Sequence, residues 1–229
     1  MLLLVLGHNR KAERAVDNFR ADPRFAGADV TLVAPGVETP LPHRPDIRHV
    51  SGDPSKIPIL EAAGADVATA VLVLAANARE ARCDHESALI VTSLRRLNAD
   101  VPVVVEMVDQ SNREHLTYAG ATTTVNERYT IANLLVRSVQ DEGVSKLMCE
   151  LLASEVGSEI YRVPVPADYV GRPFSALARA SLAARRTVIG IAPRDGSGAV
   201  LSPDPERPLA ADDAYFVVSR SPVLPSDVP

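Results

Sequence analysis

Glu106 and Asp109 stand three residues apart, just after the apolar run 101–105. An acid at the carboxyl end of a buried parallel strand lies on the edge where open α/β sheets bind ligands. Glu80, Asp84 and Glu86 follow the preceding apolar run. Together these carboxylates offer the oxygen donors that calcium or another divalent cation takes, and Glu106 with Asp109 is the metal site the sequence favours. The competing role for Glu106 is an ordinary ion pair with Arg113 or Arg82. A second candidate is the turn Gly7-His8-Asn9-Arg10, between the run MLLLVL and a helical pattern with apolar Ala12, Ala15, Val16 and Phe19. Free backbone N–H groups there, with Arg10 and Lys11, favour an anion. The dinucleotide fingerprint Gly-x-Gly-x-x-Gly is incomplete, because Asn9 and Ala12 replace its second and third glycines. The second apolar run ends in Val33-Ala34-Pro35-Gly36, without an acid for ribose hydroxyls. NAD in its usual pose is therefore disfavoured, while a mononucleotide and an empty structural turn both stay open. Gly52 and Asp53, at the tip of the third run, join the same edge as cofactor-binding candidates, with a helix cap as their other role.

Other chemistry finds little support. The chain has no Gly-x-Ser-x-Gly elbow, no His-Glu-x-x-His and no P-loop. Its five histidines, at 8, 43, 49, 85 and 115, are scattered, so no nucleophile–base pair is apparent and an enzyme is not expected. Cys83-Asp84-His85-Glu86 holds metal-ligand types, but neighbours two apart at a helix start point in different directions.

The elements that must position these residues follow from periodicity. Continuous apolar runs at 2–6, 29–34, 47–51, 70–75, 101–107 and 122–125 read as strands buried on both faces. Helical patterns fit between them at 10–20, 54–63, 84–97 and 112–118. Alternating strands and helices predict a doubly wound parallel sheet of Rossmann type. The stretch 35–46 carries four prolines and is expected to cross as an extended loop. A long apolar helical segment follows at 130–157, broken at Gly143, and is too apolar to face solvent alone. The last part reads as a small α+β domain, with strands at 159–165, 187–192, 199–201 and 215–219, a helix at 173–182, and a turn at 194–198. The expected division is 1–128, crossover helices 129–157, 158–221, and a loose tail 222–229.

A length of 229 residues suits two small domains or one large one. The net charge of −5 argues against a nucleic-acid surface, which needs a basic face. No run reaches the roughly 18 apolar residues of a membrane helix. Cys83 and Cys149 lie far apart and read as reduced thiols. A strand that begins at residue 2 without lead-in suggests that something precedes it in the natural protein.

Three stretches carry a family likeness. HVSGDPSKIPILEAAGADVATAVLVLA and VPVVVEMVDQSNREHLTYAGATTTV resemble the third-to-fifth strand region of the regulator-of-potassium-conductance (RCK) domains. YRVPVPADYVGRPFSALA, with TVIGIAPRDG and LAADDAYFVVS, looks like their TrkA-C-like ligand domain. ANLLVRSVQDEGVSKLMCELLASEVGSEIY is similar to the channel branch, BK-like and CASTOR/POLLUX-like. The resemblance implies a TrkA-N-type domain, crossover helices that mediate dimerisation, and dimers assembling into an octameric ring beneath a potassium channel pore domain. It implies a cytosolic, ligand-sensing gating module at the inner face of the membrane, itself neither inserted there nor bound to nucleic acid. By the same likeness Gly52-Asp53 lies near a nucleotide. Glu106 falls where one branch places a calcium-binding acid, although Val108 and Leu74 stand where further acids are expected. The alternatives are a free-standing, nucleotide-binding regulatory subunit of a potassium uptake transporter and, from another class, an NAD-dependent oxidoreductase. The incomplete fingerprint argues against the last.

Overall fold

The computed structural model describes residues 1–36, 41–153, 157–194, 198–223 and 227. The expected turn at 194–198 and the expected loose tail lie largely outside these, as does part of the proline-rich stretch. The chain separates into two compact units, Met1–Glu142 and Gly143–Pro229.

The first unit is built on β1 (Leu2–Leu6), β2 (Asp29–Ala34), β3 (Arg48–Ser51), β4 (Ala70–Val73), β5 (Val103–Met107) and β6 (Thr123–Asn126). All pair in parallel, in the order β3-β2-β1-β4-β5-β6. The sheet is Rossmann-like, and the strand order reverses direction between β1 and β4. Alternation along each strand divides the apolar side chains between two faces. Leu4, Leu6, Val71, Val73, Val103 and Val105 pack on one side, with Leu60, Val91, Leu94 and Leu116 from the helices there. Leu3, Val5, Val30 and Leu32 pack on the other, against Ala12 and Val16.

The connecting helices are α1 (Ala12–Ala21), α2 (Ile57–Ala62), α3 (Arg82–Arg95) and α4 (Arg113–Tyr118). α2 is shorter than the periodicity predicts. The Asp53 carboxylate accepts the Ser55 N–H at 2.9 Å, which folds 53–56 into a turn and delays the helix to Ile57. At the opposite edge of the sheet, Arg95 donates to the carbonyls of Gly120, Ala99 and Val101 and so closes the end of α3 onto the loops beside it. No helix forms in the described parts of 35–46.

Helix α5 (Glu127–Gln140) ends this unit. It starts three residues before the expected 130, because Asn126 accepts the Tyr129 N–H at 2.9 Å and caps it. None of its residues is buried, and Leu135 and Val139 are 64% and 88% exposed. Gly143, at φ +91°, separates it from α6 (Val144–Leu152), where Leu147 and Leu152 are also exposed.

The second unit contains β7 (Glu159–Pro164), α7 (Phe174–Ala183), β8 (Thr187–Ala192), β9 (Val200–Leu201) and β10 (Ala214–Ser219). Its antiparallel sheet runs β7-β10-β8-β9. Tyr161, Val163, Phe174, Leu177, Ile191, Tyr215 and Val217 form its core. This is the small α+β fold that the sequence predicts.

Among the glycines of the first unit, the one with least room for a side chain stands at the end of β1. Gly7 has φ +90°, and a Cβ there would lie 2.3 Å from the Leu74 carbonyl oxygen. Strain and overpacking act together, so Gly7→Ala should lower stability by at least about 2 kcal/mol. Urea unfolding of the variant checks this, and a midpoint equal to wild type would show that the β1 end yields without cost.

Candidate functional site

The strand order leaves a crevice outside the carboxyl ends of β1 and β4, where the chain leaves toward opposite faces of the sheet. Three strand ends meet there. Gly7 donates its N–H to Val33 O at 2.9 Å and turns the chain away from β1. Asn9 then acts as a bracket. Its side-chain oxygen accepts the Lys11 N–H at 2.9 Å, while its amide nitrogen donates to Ala75 O and to Glu106 Oε2, both at 2.8 Å. The residue that breaks the glycine fingerprint thus ties the first turn to the ends of β4 and β5.

Glu106 is the centre of this cluster. It is 8% exposed, and its Oε2 also accepts the Ala75 N–H at 3.2 Å. Its Oε1 is bound by the Lys11 ammonium, which also pairs with Glu127 at the start of α5. Burial by itself would lower the Lys11 pKa. The hydrogen bonds that Lys11 donates to Glu106 and Glu127 outweigh it and hold the ammonium above the ordinary lysine value.

A second buried acid, Asp84, shapes the neighbouring loop. Its carboxylate accepts the N–H groups of Val108 and Asp109 at 2.7 and 2.9 Å and the Asn112 amide at 2.9 Å. Asn126 donates to Val108 O at 3.0 Å. The chain leaving β5 is therefore held from both sides.

These contacts wall a groove of about 920 Å³, lined by Asn9, Arg10 and Lys11, the loop 76–79, Glu106, and Arg128, Ile131 and Leu135 of α5. A smaller lobe of about 320 Å³ lies beside Asp109, Gln110 and Tyr129 and shares Arg79, Val108 and Arg128 with the first.

Of the cofactor-binding candidates, Asn9 and Arg10 line the groove, whereas Gly7 and His8 stay in the turn behind it. Gly52 and Asp53 follow β3, two strands from β1, where Gly52 donates to Ala34 O at 3.1 Å. The Asp53 carboxyl is held below its ordinary range by the Ser55 N–H and lies 3.7 Å from the Lys56 ammonium. Of the metal candidates, Glu106 lines the larger lobe and Asp109 the smaller. Asp109 accepts the Ser111 N–H and hydroxyl at 2.9 and 2.8 Å, and the former holds its carboxyl below the ordinary range. The cation beside Glu106 is Lys11, not Arg113 or Arg82; Arg82 pairs with Glu80 and Glu86. Cys83 and Asp84 are buried while His85 and Glu86 face outward. Among the described residues no group of three or more His, Cys, Asp or Glu side chains is placed to hold a metal ion.

Sequence reasoning missed Arg79, Arg128 and the α5 wall. Arg79 follows the end of β4 and Arg128 the end of β6, so the rule that ligands sit beyond parallel strand ends could have found both.

The TrkA-N domain family matches residues 3–127. The chain belongs to this family. The fold extends the likeness past that segment. The human SLO3 gating ring is similar over 97% of this chain and 45% of its own length, with TM-score 0.72 and 14% identity. The GsuK RCK domain covers 96% of this chain and 44% of its own length, with TM-score 0.50 and 22% identity. A GsuK channel bound to NAD covers 96% and 36%, with TM-score 0.50 and 21% identity. The TrkA-N chain thus spans less than half the length of these structures, and at such identities the likeness is one of fold. No described helix is long and apolar enough to cross a membrane.

The Lys11 geometry sets a pH dependence in this TrkA-N domain. Its pKa is raised on folding, so the ion pairs stabilise the protein fully below the ordinary lysine value, and that stabilisation is lost as pH rises through the folded value. Lys11 is 41% exposed, so the loss should stay under about 1 kcal/mol. Urea midpoints followed into the alkaline range should fall less steeply for Lys11→Met than for wild type. Identical slopes would assign the alkaline loss to other groups.

Proposed function

We propose that this chain is a non-enzymatic regulatory domain that senses a cytosolic ligand and, within an oligomeric ring, controls a potassium channel. One observation carries the reading: a wall of the switch-point groove is α5, a helix with no buried residue. Ile131 and Leu135 line the groove, while Val136 and Val139 on the same helix are exposed. Lys11–Glu127 and a bond from Arg128 Nη2 to Ala78 O, 3.1 Å long, tie the start of α5 to two ligand-facing loops. A ligand that alters those loops alters the seating of α5. The fold shared with the SLO3 gating ring and the GsuK channel supports a ring beneath a pore. The NAD bound to GsuK supports a nucleotide as the ligand class.

The apolar residues of α5 supply the self-association surface. Val136→Glu with Val139→Glu should shift the chain toward monomer in light scattering, leaving its melting temperature within a few degrees of wild type. A wild type that is monomeric at high concentration would remove the ring. The regulatory role is tested on the natural full-length gene product in potassium-loaded vesicles, with nucleotides and calcium as titrants. Potassium flux should change with a nucleotide, and flux indifferent to every titrant would overturn the reading. Flux that appears only with a separate pore protein would assign the chain to a transporter subunit.

A further inference from the structure

We infer that the groove takes a nucleotide carrying a pyrophosphate, and that its phosphates sit at Arg79 and Arg128, between the two lobes, instead of on the first turn. The inference rests on the reading of this groove as the ligand site. It follows from where negative charge is already seated and where positive charge is not yet answered.

In an open α/β fold a phosphate sits on the glycine-rich first turn, at the start of the first helix. Here that seat holds the protein's own anion. The Glu106 carboxylate accepts the Ala75 N–H and the Asn9 amide and binds the Lys11 ammonium, and Glu127 takes Lys11 from the other side. A phosphate arriving there would meet a buried carboxylate of like charge. Driving Glu106 out would leave the Ala75 and Asn9 donors to be satisfied again from within the ligand. Asn9 also fills the space that a fingerprint glycine would leave open.

Arg79 and Arg128 are in the opposite state. Both are exposed, and neither has a carboxylate within ion-pair distance among the described residues. Arg128 donates to Ala78 O, one residue before Arg79, and both arginines line both lobes. The acid beside them on the smaller lobe, Asp109, accepts from Ser111 and feels the Arg128 charge, but forms no ion pair with it. Two guanidinium groups on the lining shared by the two lobes suit the oxygens of a diphosphate, Arg128 through the N–H groups it does not give to Ala78 O. On one side of this shared lining, Ile131, Ala132 and Leu135 give the larger lobe an apolar wall for a nucleobase and its sugar. On the other, the smaller lobe lies beside the exposed Tyr129, where the second nucleoside of a dinucleotide would rest. Volumes of about 920 and 320 Å³ are in the range of small-molecule sites.

Calorimetric titrations of the chain with adenosine, ADP and NAD test this, on wild type and on Arg79→Gln, Arg128→Gln and Arg10→Gln. All three arginines are exposed and Arg128 gives a single bond to Ala78 O, so the variants should melt within a few degrees of wild type. Wild type should bind ADP at least about tenfold tighter than adenosine, one charge-assisted contact being worth that much. Arg79→Gln and Arg128→Gln should each weaken ADP by about tenfold while leaving adenosine unchanged, and Arg10→Gln should do neither. NAD weakened by the same two variants would place both lobes in use. ADP loss confined to Arg10→Gln would return the phosphates to the first turn; the inference would fall and the ligand-sensing reading would stand. Wild type that binds none of the three would overturn the inference and the nucleotide form of that reading together.

Discussion

The buried carboxylate of Glu106 is the contact on which the ligand edge of the first unit depends. At the point where the strand order reverses, β1 and β4 send their chains to opposite faces of the sheet. The last N–H groups of such strands have no ladder partner. Glu106 answers one of them, at Ala75, from the neighbouring strand β5. A buried charge is costly unless it is paired and hydrogen-bonded, so its presence dictates other residue types around it. Asn9 supplies an amide and Lys11 a counter-charge. The loss of the second fingerprint glycine is, in this light, a consequence of filling the crevice from within.

Most of the fold was legible because it rests on local pattern. The six parallel strands stand within about two residues of their apolar runs, and the break at Gly143 follows from a glycine inside a helical period. Two helix starts were displaced by side chains that act over two or three residues. Asp53 delays α2 by binding Ser55, and Asn126 advances α5 by capping Tyr129. Apolar periodicity is blind to both, since the capping residues are polar. The site was far less legible. Glu106 could be placed at the sheet's ligand edge, but its partners lie at 9, 11 and 75 and reach it only through strand order. Glu127 joins the cluster through Lys11, 116 residues away in sequence. Spacing suggested that Glu106 and Asp109 act together. The structure turns one toward Lys11 and the other toward Ser111, because β5 ends between them and Asp109 starts a new turn.

Two acids with the same surface chemistry in sequence therefore play different parts. Asp84 read as one member of an acidic cluster, yet it is buried and accepts three donors that shape the β5 exit. Its helix position explains the difference. At the first turn of α3 it faces inward, whereas His85 and Glu86 face out. An acidic residue after a parallel strand can thus hold a loop in place, and the donors around Asp84 show that role.

The charge left over defines what the groove can recognise. Lys11 is answered twice, by Glu106 and Glu127, and contributes no net attraction at the first turn. Arg10, Arg79 and Arg128 remain without a carboxylate partner among the described residues, on a chain whose net charge is −5. These three arginines line the groove, whose walls make their charge felt more than it would be in open solvent. Arg128 belongs to α5 and, through Ala78, to the loop that carries Arg79. An anion gripped by both arginines draws that loop and the first turn of α5 together, so ligand charge and helix position become one equilibrium. A ligand shifts such an equilibrium only by its difference in affinity for the two arrangements. With the phosphate seat of the first turn already satisfied, that difference can arise only where the arginines are, at the start of the helix that leaves the groove bare on its outer face.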